Sequence, residues 1–352
     1  MTTVGFDALI YAWPPGGIAT YQTGLMQGLR ATGEVEVKFA GGVSAVETGL
    51  PGLKVSNSGR RVLFARNMMK AAGLKSDVHH LTAFWRPPLL RARRMVLTVH
   101  DMIPERLGRD YPEIAGVHYG KVRLAAQADA VICPSEAARQ DVLELLKLPE
   151  DRVFAVPHGA PETVAAATGT RFEAEAGRYV LIVGRRGHYK NFLGVLPALG
   201  PVLVRHGLKL ICVGGGAFTA EERAALVAAG LSDRAEQQSL SVAALAAACA
   251  HALCLVAPSR AEGFGLPLLE AMAYGAPVLA SDIPVQREVG GDAVLWWDVQ
   301  RPDSLAAALE RLIAETDLRG TLQTAGRARA ALYTWERTAR LTAEIYRRAA
   351  AG

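Results

Sequence analysis

The fold is decided by the stretch Pro258-Ser-Arg-Ala-Glu262-Gly-Phe-Gly-Leu-Pro267-Leu-Leu-Glu270, which follows an apolar run over residues 252–257. The apolar run predicts a buried strand, and the two glycines after Glu262 predict a loop. Pro267 then stands where the first position of a helix is expected. A helix that begins there points unpaired N–H groups and a partial positive charge into the loop, which suits a bound phosphate.

Two acids flank this predicted phosphate site. Glu270 lies about one turn inside the predicted helix, so its carboxylate can reach a ligand at the helix start. Carboxylates repel phosphate but accept well from paired hydroxyls, such as those of a ribose or a hexose. Glu262 and Glu270 therefore indicate a sugar bound together with its phosphate. The alternative is a solvated loop acid at 262 and an ordinary surface acid at 270.

The spacing of these acids is similar to a known signature. Glu262 and Glu270, separated by seven residues, resemble the E-x7-E motif of retaining glycosyltransferases of family 4. The continuation over 273–284 and 287–289 is similar to that family too. The resemblance implies an α/β protein of GT-B architecture, with two Rossmann-like parallel-sheet domains that face each other across a cleft.

The strand patterns and the resemblance together predict the domain organisation. We expect an N-terminal, acceptor-side domain over 1–160, a linker over 161–177 and a nucleotide-sugar-binding domain over 178–334. A terminal helix over 335–352 is expected to cross back to the first domain. The linker is expected because this segment is rich in Ala, Thr and Glu and offers little to a core.

A second glycine-bearing loop, Gly184-Arg185-Arg186-Gly-His-Tyr-Lys190-Asn191, follows the predicted strand over 179–183. Its basic side chains predict a diphosphate clamp, because charged hydrogen bonds contribute roughly 1.5–3 kcal/mol each. A solvated basic loop is the alternative. The loop resembles family segments of the form V-G-x-R-x-x-Y-K-N, which implies that Lys190 and Arg186, by position, neutralise the donor diphosphate. Arg185 is a further candidate for donor binding.

The resemblance also implies roles for the opening stretch. Glu262 would position the transferred sugar through its hydroxyls, and Glu270 would hold the ribose. Backbone groups of the intervening loop would contact the donor; these are Gly263, Phe264, Gly265 and Leu266. In relatives, a further loop borders the nucleobase. Here that position carries Gln237-Gln-Ser-Leu-Ser241 in place of an acidic, glycine-containing loop, so the identity of the base stays open.

The N-terminal half offers two more candidate positions. A predicted strand over 4–10 leads into Gly16 and Gly17 and then a helical pattern, and ligands bind beyond such strand ends in α/β domains. His100 follows the predicted strand over 95–99, where its imidazole could contact a reacting hydroxyl, although a lone histidine is more often structural. The resemblance implies a glycine loop facing sugar and acceptor at Gly16 and Gly17, and a histidine beside the transferred sugar at His100.

Composition restricts the class of protein. The chain has 352 residues, 50% of them hydrophobic and 21% charged, which predicts two globular domains rather than disorder. Its four cysteines form no C-x-x-C pair, and mostly lie in apolar runs, which predicts reduced thiols in a cytoplasmic protein. The sequence start lacks the features of a signal peptide, and no stretch approaches eighteen consecutive apolar residues.

Positive charge is concentrated between residues 54 and 94, where ten basic residues face a single acid, Asp77. Residues 60–72 predict an amphipathic helix. This helix could lie on an anionic membrane surface, at about 1 kcal/mol per basic residue, or pack on the core with its charges solvated or near an anionic substrate. No nucleic-acid partner is expected, because the run has no interleaved aromatic residues and no known module.

These observations predict a retaining glycosyltransferase that moves a hexose from a nucleoside-diphosphate sugar to an acceptor hydroxyl. GDP-mannose is the first expectation for the donor and a UDP-hexose the second, since the motifs resemble bacterial transferases of surface polysaccharide synthesis. A glycan or lipid-linked glycan is the expected acceptor. No metal is expected, because the sequence has no D-x-D. A nicotinamide enzyme is disfavoured by the absence of G-x-G-x-x-G, and a non-catalytic nucleotide-sugar or glycan binder is the remaining alternative.

Overall fold

A computed structural model of the chain describes residues 1–12, 16–40, 65, 69, 75–84, 91–114, 119–161 and 168–352. The chain divides into two compact units. Unit 1 comprises Met1–Gly159 and Tyr333–Gly352, and unit 2 comprises Ala160–Leu332. The amphipathic helix predicted over 60–72 lies outside the described residues, apart from Ala65 and Met69, which are helical and exposed.

Each unit contains one parallel sheet of six strands. The strands of unit 1 are β1 (Thr3–Asp7), β2 (Glu36–Ala40), β3 (Lys75–Leu81), β4 (Arg91–Thr98), β5 (Ala130–Cys133) and β6 (Val153–Ala155). Those of unit 2 are β7 (Tyr179–Val183), β8 (Lys209–Val213), β9 (Ala235–Gln238), β10 (Cys254–Ala257), β11 (Val278–Ser281) and β12 (Leu295–Trp297). The α/β class predicted from the sequence is confirmed.

The helices alternate with these strands, as parallel pairing requires. In unit 1 they are α1 (Gly17–Thr32), α2 (Ile103–Leu107), α3 (Tyr119–Gln127) and α4 (Glu136–Leu146), and the terminal helix α13 (Trp335–Ala351). In unit 2 they are α5 (Arg171–Ala174), α6 (Phe192–Arg205), α7 (Ala220–Ala228), α8 (Val242–His251), α9 (Leu266–Tyr274), α10 (Pro284–Gly290), α11 (Asp303–Ala314) and α12 (Thr316–Ala330).

Strand order fixes where each sheet can bind a ligand. Unit 1 has the order β2-β1-β3-β4-β5-β6, and unit 2 has the order β12-β11-β10-β7-β8-β9. The direction of winding therefore reverses between β1 and β3 in unit 1 and between β7 and β10 in unit 2. In doubly wound sheets, ligands bind beyond the carboxyl ends of the strands at such a switch point. The loops after β7 and β10 are the two glycine-bearing loops that the sequence singles out.

Local sequence signals account for several helix starts. Ser135 begins α4 by accepting a hydrogen bond from the backbone N–H of Ala138, and Thr334 does the same for α13 with Arg337. Thr219 and Glu222 form a reciprocal capping box at the start of α7. Such caps satisfy N–H groups that the helix itself leaves unpaired.

The terminal helix α13 belongs to unit 1, where it packs on α1. Glycines make this packing close: a Cβ atom at Gly24 would overlap the Trp335 ring, and one at Gly159 would lie 2.6 Å from it. Any side chain at either position would displace the tryptophan. Tyr346, farther along α13, is fully buried.

Two segments differ from their predictions. The segment predicted as a linker, 161–177, falls within unit 2, and its described part carries α5, with Phe172 buried against Tyr179. One aromatic residue is thus enough to anchor a segment of low average hydrophobicity. Gln237 and Gln238, predicted in a loop, form the end of edge strand β9. Backbone pairing with β8 makes this strand without an apolar pattern.

The cysteines Cys133, Cys212, Cys249 and Cys254 are all buried and free. Burial raises the pKa of each thiol, that of Cys212 to about 12. The prediction that these residues are reduced thiols without a disulfide framework agrees with this arrangement. Across the described residues, no helix has both the length and the apolar character that a membrane span requires.

Candidate active site

The candidate site lies at the switch point of unit 2, where the loops after β7 and β10 line a small cavity of ≈ 20 Å³. Polar side chains in its wall come from both loops and from α10. They are Arg185, Lys190, Ser259, Glu262 and Gln286. The cavity wall thus combines positive charge, a carboxylate and neutral hydrogen-bonding groups at the position where the fold binds ligands.

Lys190 and Glu262, predicted on separate loops, are brought into direct contact. Lys190 Nζ donates to Glu262 Oε1 at 2.7 Å, with side-chain exposures of 23% and 13%. Ser259 Oγ donates to the same oxygen at 2.7 Å. Low exposure strengthens this pair relative to a surface salt bridge while still leaving it accessible to a ligand.

Further hydrogen bonds fasten the two loops together. The Arg260 backbone N–H donates to the Tyr189 carbonyl at 2.7 Å. Asn191 Nδ2 donates to the Pro258 carbonyl at 3.1 Å, and Arg260 Nε donates to Asn191 Oδ1 at 3.2 Å. Asn191 is itself in the left-handed backbone region, with φ 60°, at the start of α6. These contacts hold Lys190 and Glu262 in register before any ligand binds, which favours preorganised recognition.

Helix α9 begins directly beside this pair, at Leu266, as predicted. Its N-cap is Gly265, whose φ of 90° is rarely accessible to other residues. Gly265 has no side chain that could cap the helix, Pro267 has no N–H, and the Leu268 N–H donates to the Gly265 carbonyl at 3.0 Å. The Leu266 N–H and the positive end of the helix dipole are therefore what this helix start offers to an anion. Phe264 is buried and anchors the loop, and Gly263 joins it to Glu262. A helix therefore begins at the predicted place, next to Lys190 and Glu262.

Glu270 lies inside α9 and is partly buried. Among the residues that the structure describes, none donates a hydrogen bond or forms an ion pair to its carboxylate. Burial raises the pKa of Glu270 from 4.5 to about 7. Its charge in turn raises the pKa of the neighbouring Tyr274 further, to about 12, beyond the effect of burial. A buried acid without a partner is costly and is common at functional sites.

The adjacent residues Arg185 and Arg186 differ in burial and in their contacts. Arg185 is exposed and lines the cavity. Arg186 is 4% exposed and turns away from it, and its guanidinium forms two hydrogen bonds with Glu222, at 2.9 and 3.1 Å. The expectation that Arg186 neutralises a diphosphate is therefore corrected, because its charge is already paired inside the protein. Of the two arginines, Arg185 is the one that lines the cavity.

Arg186 instead holds the turn that follows β8. Its guanidinium donates to the carbonyls of Gly214, Gly216 and Ala217 and stacks on Phe218. The glycines at 214–216 all have positive φ, between 71° and 84°, a conformation that glycine adopts without strain. The Gly-Gly-Gly triplet therefore forms a tight turn around a buried arginine.

Unit 1 carries the remaining predicted residues. His100 lies just beyond β4, where its Nε2 donates to the Thr82 carbonyl at 2.9 Å. A carbonyl only accepts, so this bond assigns the Nε2–H tautomer to the neutral ring. Gly16, in an extended conformation with φ −165°, is the N-cap of α1, and Gly17 is its first residue; both are exposed. Within unit 1, the structure places His100 near Tyr21, at 5.2 Å between ring centroids.

A buried hydrogen-bond chain lies beneath His100. Tyr346 Oη and Thr98 Oγ1 contact the two nitrogens of His80, at 2.6 and 2.7 Å, and Thr98 also bonds Tyr21 at 3.0 Å. Burial, reinforced by His79 and His100, lowers the pKa of His80 from 6.5 to about 3. His80 is therefore neutral, and the chain joins α13 to β3, β4 and α1.

Ser259 and Gln286 are site residues that the sequence reasoning missed. Ser259 stands inside the decisive stretch, but a serine after a strand is too common to signal a role. Gln286 is 1% exposed and accepts from Ser281 at 3.3 Å, and nothing in its neighbourhood in the sequence predicts that it reaches the cavity. Among the described residues, no group of three or more His, Cys, Asp or Glu side chains is placed to hold a metal ion.

Two family models match the chain, one on each side of its division into units. The model "Glycosyltransferase Family 4" matches residues 15–163, and "Glycosyl transferases group 1" matches residues 170–329. The second match contains both candidate loops and α9. The chain belongs to the family 4 glycosyltransferases. It is therefore an enzyme, and the resemblance noted in the sequence is confirmed.

The chain is similar in sequence or structure to several known glycosyltransferases and related enzymes. It is 26% identical over 374 residues to O-antigen chain mannosyltransferase B of Escherichia coli, with 95% of this chain and 97% of that protein covered. Sucrose-phosphate synthase from Thermosynechococcus elongatus matches in structure with a TM-score of 0.74, 20% identity and 99% of both chains covered. Anabaena HepE in complex with UDP-glucose matches with a TM-score of 0.72 and 17% identity, covering 98% of this chain and 99% of that one. The glycosyltransferase thus has the GT-B fold.

Proposed function

We propose that this glycosyltransferase transfers a hexose, with retention of anomeric configuration, from a nucleoside-diphosphate sugar to a hydroxyl of a glycan or lipid-linked glycan. The observation that carries the proposal is the contact of Lys190 with Glu262 beside the open start of α9. A cation and helix N–H groups suit a diphosphate, and an adjacent carboxylate suits sugar hydroxyls.

Each residue has a role in this proposal. Lys190, Arg185 and the α9 start stabilise the charge that develops on the departing diphosphate, which is the main requirement of the reaction. Glu262 orients the sugar, and Glu270 accepts from the ribose hydroxyls. His100 contacts the sugar or the acceptor. Backbone groups of Gly263, Phe264, Gly265 and Leu266 complete the donor site, and the loop at Gly16 and Gly17 serves the acceptor side.

GDP-mannose is the proposed donor. Support comes from the E. coli relative, which is named a mannosyltransferase and covers nearly the whole chain. A UDP-hexose is the competing donor, favoured by the structural likeness to HepE in complex with UDP-glucose. The edge strand β9 ends in Gln237 and Gln238, which replace the acidic loop expected beside the base, so direct binding data must choose between the two nucleotides.

The proposed acceptor belongs to cell-surface polysaccharide synthesis at the inner face of the cytoplasmic membrane. The name of the O-antigen relative supports this acceptor class, and the ten basic residues between 54 and 94 would favour an anionic surface. Co-sedimentation with vesicles containing anionic lipid tests the second point. Equal sedimentation with neutral and anionic vesicles would remove the membrane from the proposal.

Transfer is proposed to be independent of a metal ion, because Lys190, Arg185 and a helix start already supply positive charge for the diphosphate. The expected result is full turnover of the nucleotide sugar in excess chelator. Loss of turnover in chelator and its return with manganese would contradict this point.

Thermal shift with GDP, UDP, ADP, GDP-mannose, UDP-glucose and NAD tests the proposal. A ligand at about one hundred times its Kd adds nearly 3 kcal/mol of stability. We expect one nucleoside diphosphate and its sugar to shift the wild type, and smaller shifts in Lys190→Ala and Glu270→Ala. Lys209→Ala is the matched control, because Lys209 begins β8 and pairs with Glu175 instead. A shift with NAD alone, or equal shifts in all variants, would overturn the proposal.

A further inference from the structure

The two charged side chains proposed to bind adjacent groups of the donor, its diphosphate and its sugar, bind one another in this structure. Lys190, which is proposed to bind the diphosphate, donates to Glu262 Oε1, and Glu262 is proposed to bind the sugar. The distance of 2.7 Å and the low exposure of both side chains make this a strong contact. A diphosphate must therefore compete with Glu262 for the Lys190 ammonium.

The Glu262 carboxylate is polarised within this contact. Oε1 accepts from both Lys190 and Ser259, at 2.7 Å each. Oε2 accepts from no residue in the part of the chain that the structure describes, so it is the oxygen to which a sugar hydroxyl can donate. Such a hydroxyl would draw negative charge toward Oε2 and weaken the hold of Oε1 on the ammonium.

A nucleoside diphosphate without its sugar meets a different site. Its phosphates approach a carboxylate that no sugar hydroxyl has engaged, so the carboxylate repels them and retains its hold on Lys190. An intact donor offers phosphate to Lys190 and hydroxyls to Glu262 at the same time. The terminal phosphate of the nucleoside diphosphate is also unesterified and carries more negative charge than the same phosphate in the donor, which increases its repulsion by Glu262.

We propose that the Lys190–Glu262 pair makes the site selective for the intact nucleoside-diphosphate sugar over the nucleoside diphosphate left after transfer. This inference rests on the proposed function, and adds a role in product release. When the sugar leaves, Glu262 regains Lys190, and the affinity for the departing nucleoside diphosphate falls. Specificity of this kind is a difference between two affinities, and a repulsive group is one way to create it.

Ser259 is the positioning residue of this pair. It is 4% exposed, and its hydroxyl holds Glu262 Oε1 against Lys190. Its own carbonyl accepts a short hydrogen bond from Ser281 Oγ, which fixes the strand end. Without the Ser259 hydroxyl, Glu262 can turn away from Lys190, so Ser259→Ala changes selectivity in the same direction as loss of the Glu262 charge, by a smaller factor.

Calorimetric titration of two ligand pairs, GDP with GDP-mannose and UDP with UDP-glucose, tests the inference. In Glu262→Gln the nucleoside diphosphate is expected to bind about fivefold tighter than in the wild type, the amount that a partly buried ion pair of this kind is worth. The affinity for the matching nucleotide sugar is expected to stay the same or fall. The preference for the intact donor therefore shrinks at least fivefold in this variant.

A double-mutant cycle removes indirect effects. In a Lys190→Met background, Glu262→Gln is expected to change nucleoside-diphosphate affinity much less than in the wild type, because the partner of the pair is gone. Ser259→Ala tests the same contact without a change of charge. Unchanged or weaker binding of the nucleoside diphosphate in Glu262→Gln would overturn the inference.

The outcomes separate this inference from the proposed function. If the wild type binds none of the four ligands, both are overturned together. If the wild type binds one pair and Glu262→Gln keeps the same preference, the proposed function stands and the selectivity role is overturned. Thermal unfolding of each variant, compared with the wild type, excludes loss of folding as the cause of an affinity change.

Discussion

The two switch points of this glycosyltransferase use polar side chains in opposite ways. At the β1/β3 switch point, Gln22 donates to the Asp7 carbonyl and accepts from Thr82, whose carbonyl accepts from His100. Short polar groups there bind one another and the backbone. At the β7/β10 switch point, the charged side chains of Lys190 and Glu262 line a cavity and contact each other directly. Glu270 accepts no hydrogen bond from any of the described residues.

The difference separates a framework from a binding site. A buried network whose members satisfy each other stiffens the fold, as the His80 chain does in unit 1. Charged groups that are unpaired in a partly buried site lower the stability of the fold. Such groups are common at functional sites, where contacts with a ligand offset the loss. This difference supports the proposal that the donor diphosphate binds to unit 2. Substitutions at the two switch points should therefore differ in kind.

Substitutions of the adjacent arginines Arg185 and Arg186 should differ most in their effect on stability. Arg186→Met leaves the Glu222 carboxylate buried without its cation, and losing one partner of such a pair costs about 3–5 kcal/mol. Arg185→Met is the matched variant, which should unfold like the wild type and bind nucleoside diphosphate more weakly. Urea unfolding and nucleotide titration of both variants measure this. Equal stabilities would mean that the Arg186–Glu222 pair contributes little.

Loss of Lys190 is expected to have the next largest effect, on turnover. Lys190→Ala removes a preorganised cation from the diphosphate, and loss of one such group costs roughly 3 kcal/mol, or about a hundredfold in rate. Release of nucleoside diphosphate from the nucleotide sugar measures it. Lys209→Ala, in the same sheet but at the opposite end of its strand, should keep wild-type turnover. A Lys190→Ala enzyme within twofold of the wild type would contradict the assignment.

Substitution of Glu270 should change stability in a way that depends on pH. Burial raises the pKa of Glu270 from 4.5 to about 7, so ionising this carboxyl in the folded protein lowers the free energy of unfolding. This loss of stability is absent below pH 4.5 and complete above pH 7. Glu270→Gln should therefore be more stable than the wild type at pH 8, on the order of 2 kcal/mol, and equal to it near pH 4.5. The same variant should bind nucleotides less tightly. Denaturant unfolding at the two pH values decides the matter, and a constant difference between them would refute the assignment.

The His80 chain should respond to pH in the opposite direction, and its substitution should have the smallest effect at pH 7. The pKa of His80 is lowered from 6.5 to about 3 by burial and by the neighbouring histidines, so the unfolded chain takes up a proton that the folded protein refuses. Stability then falls as pH decreases from 6.5 toward 3. His80→Gln should cost about 1 kcal/mol at pH 7 through lost hydrogen bonds. At pH 4.5 the variant should be the more stable protein, because the wild type loses about 2.7 kcal/mol between pH 6.5 and 4.5. Unfolding curves at both pH values measure how the free energy of unfolding changes with pH in each protein. The same change in the variant and in the wild type would mean that His80 is already charged in the folded protein.

The sequence predicted those parts of the site that depend on nearby residues. The glycine loop, the start of α9 and the placement of Glu262 and Lys190 after buried strands all follow from local patterns. The direction of Arg186 does not, because it is set by Glu222 and by the Gly214 carbonyl, which lie 36 and 28 residues later in the sequence. Likewise β9 has no apolar alternation, since its position is fixed by pairing with β8 alone.

The buried cysteines have a practical consequence. All four thiols of the chain are enclosed and have raised pKa values, so they react slowly with alkylating dyes at neutral pH. A single cysteine introduced at the exposed positions Val122 in unit 1 or Val227 in unit 2 would therefore be the preferred site of labelling in an otherwise native enzyme. With a label at each position, energy transfer would measure the distance between the two labels. Titration with a nucleotide sugar and then with the nucleoside diphosphate would report any change in that distance.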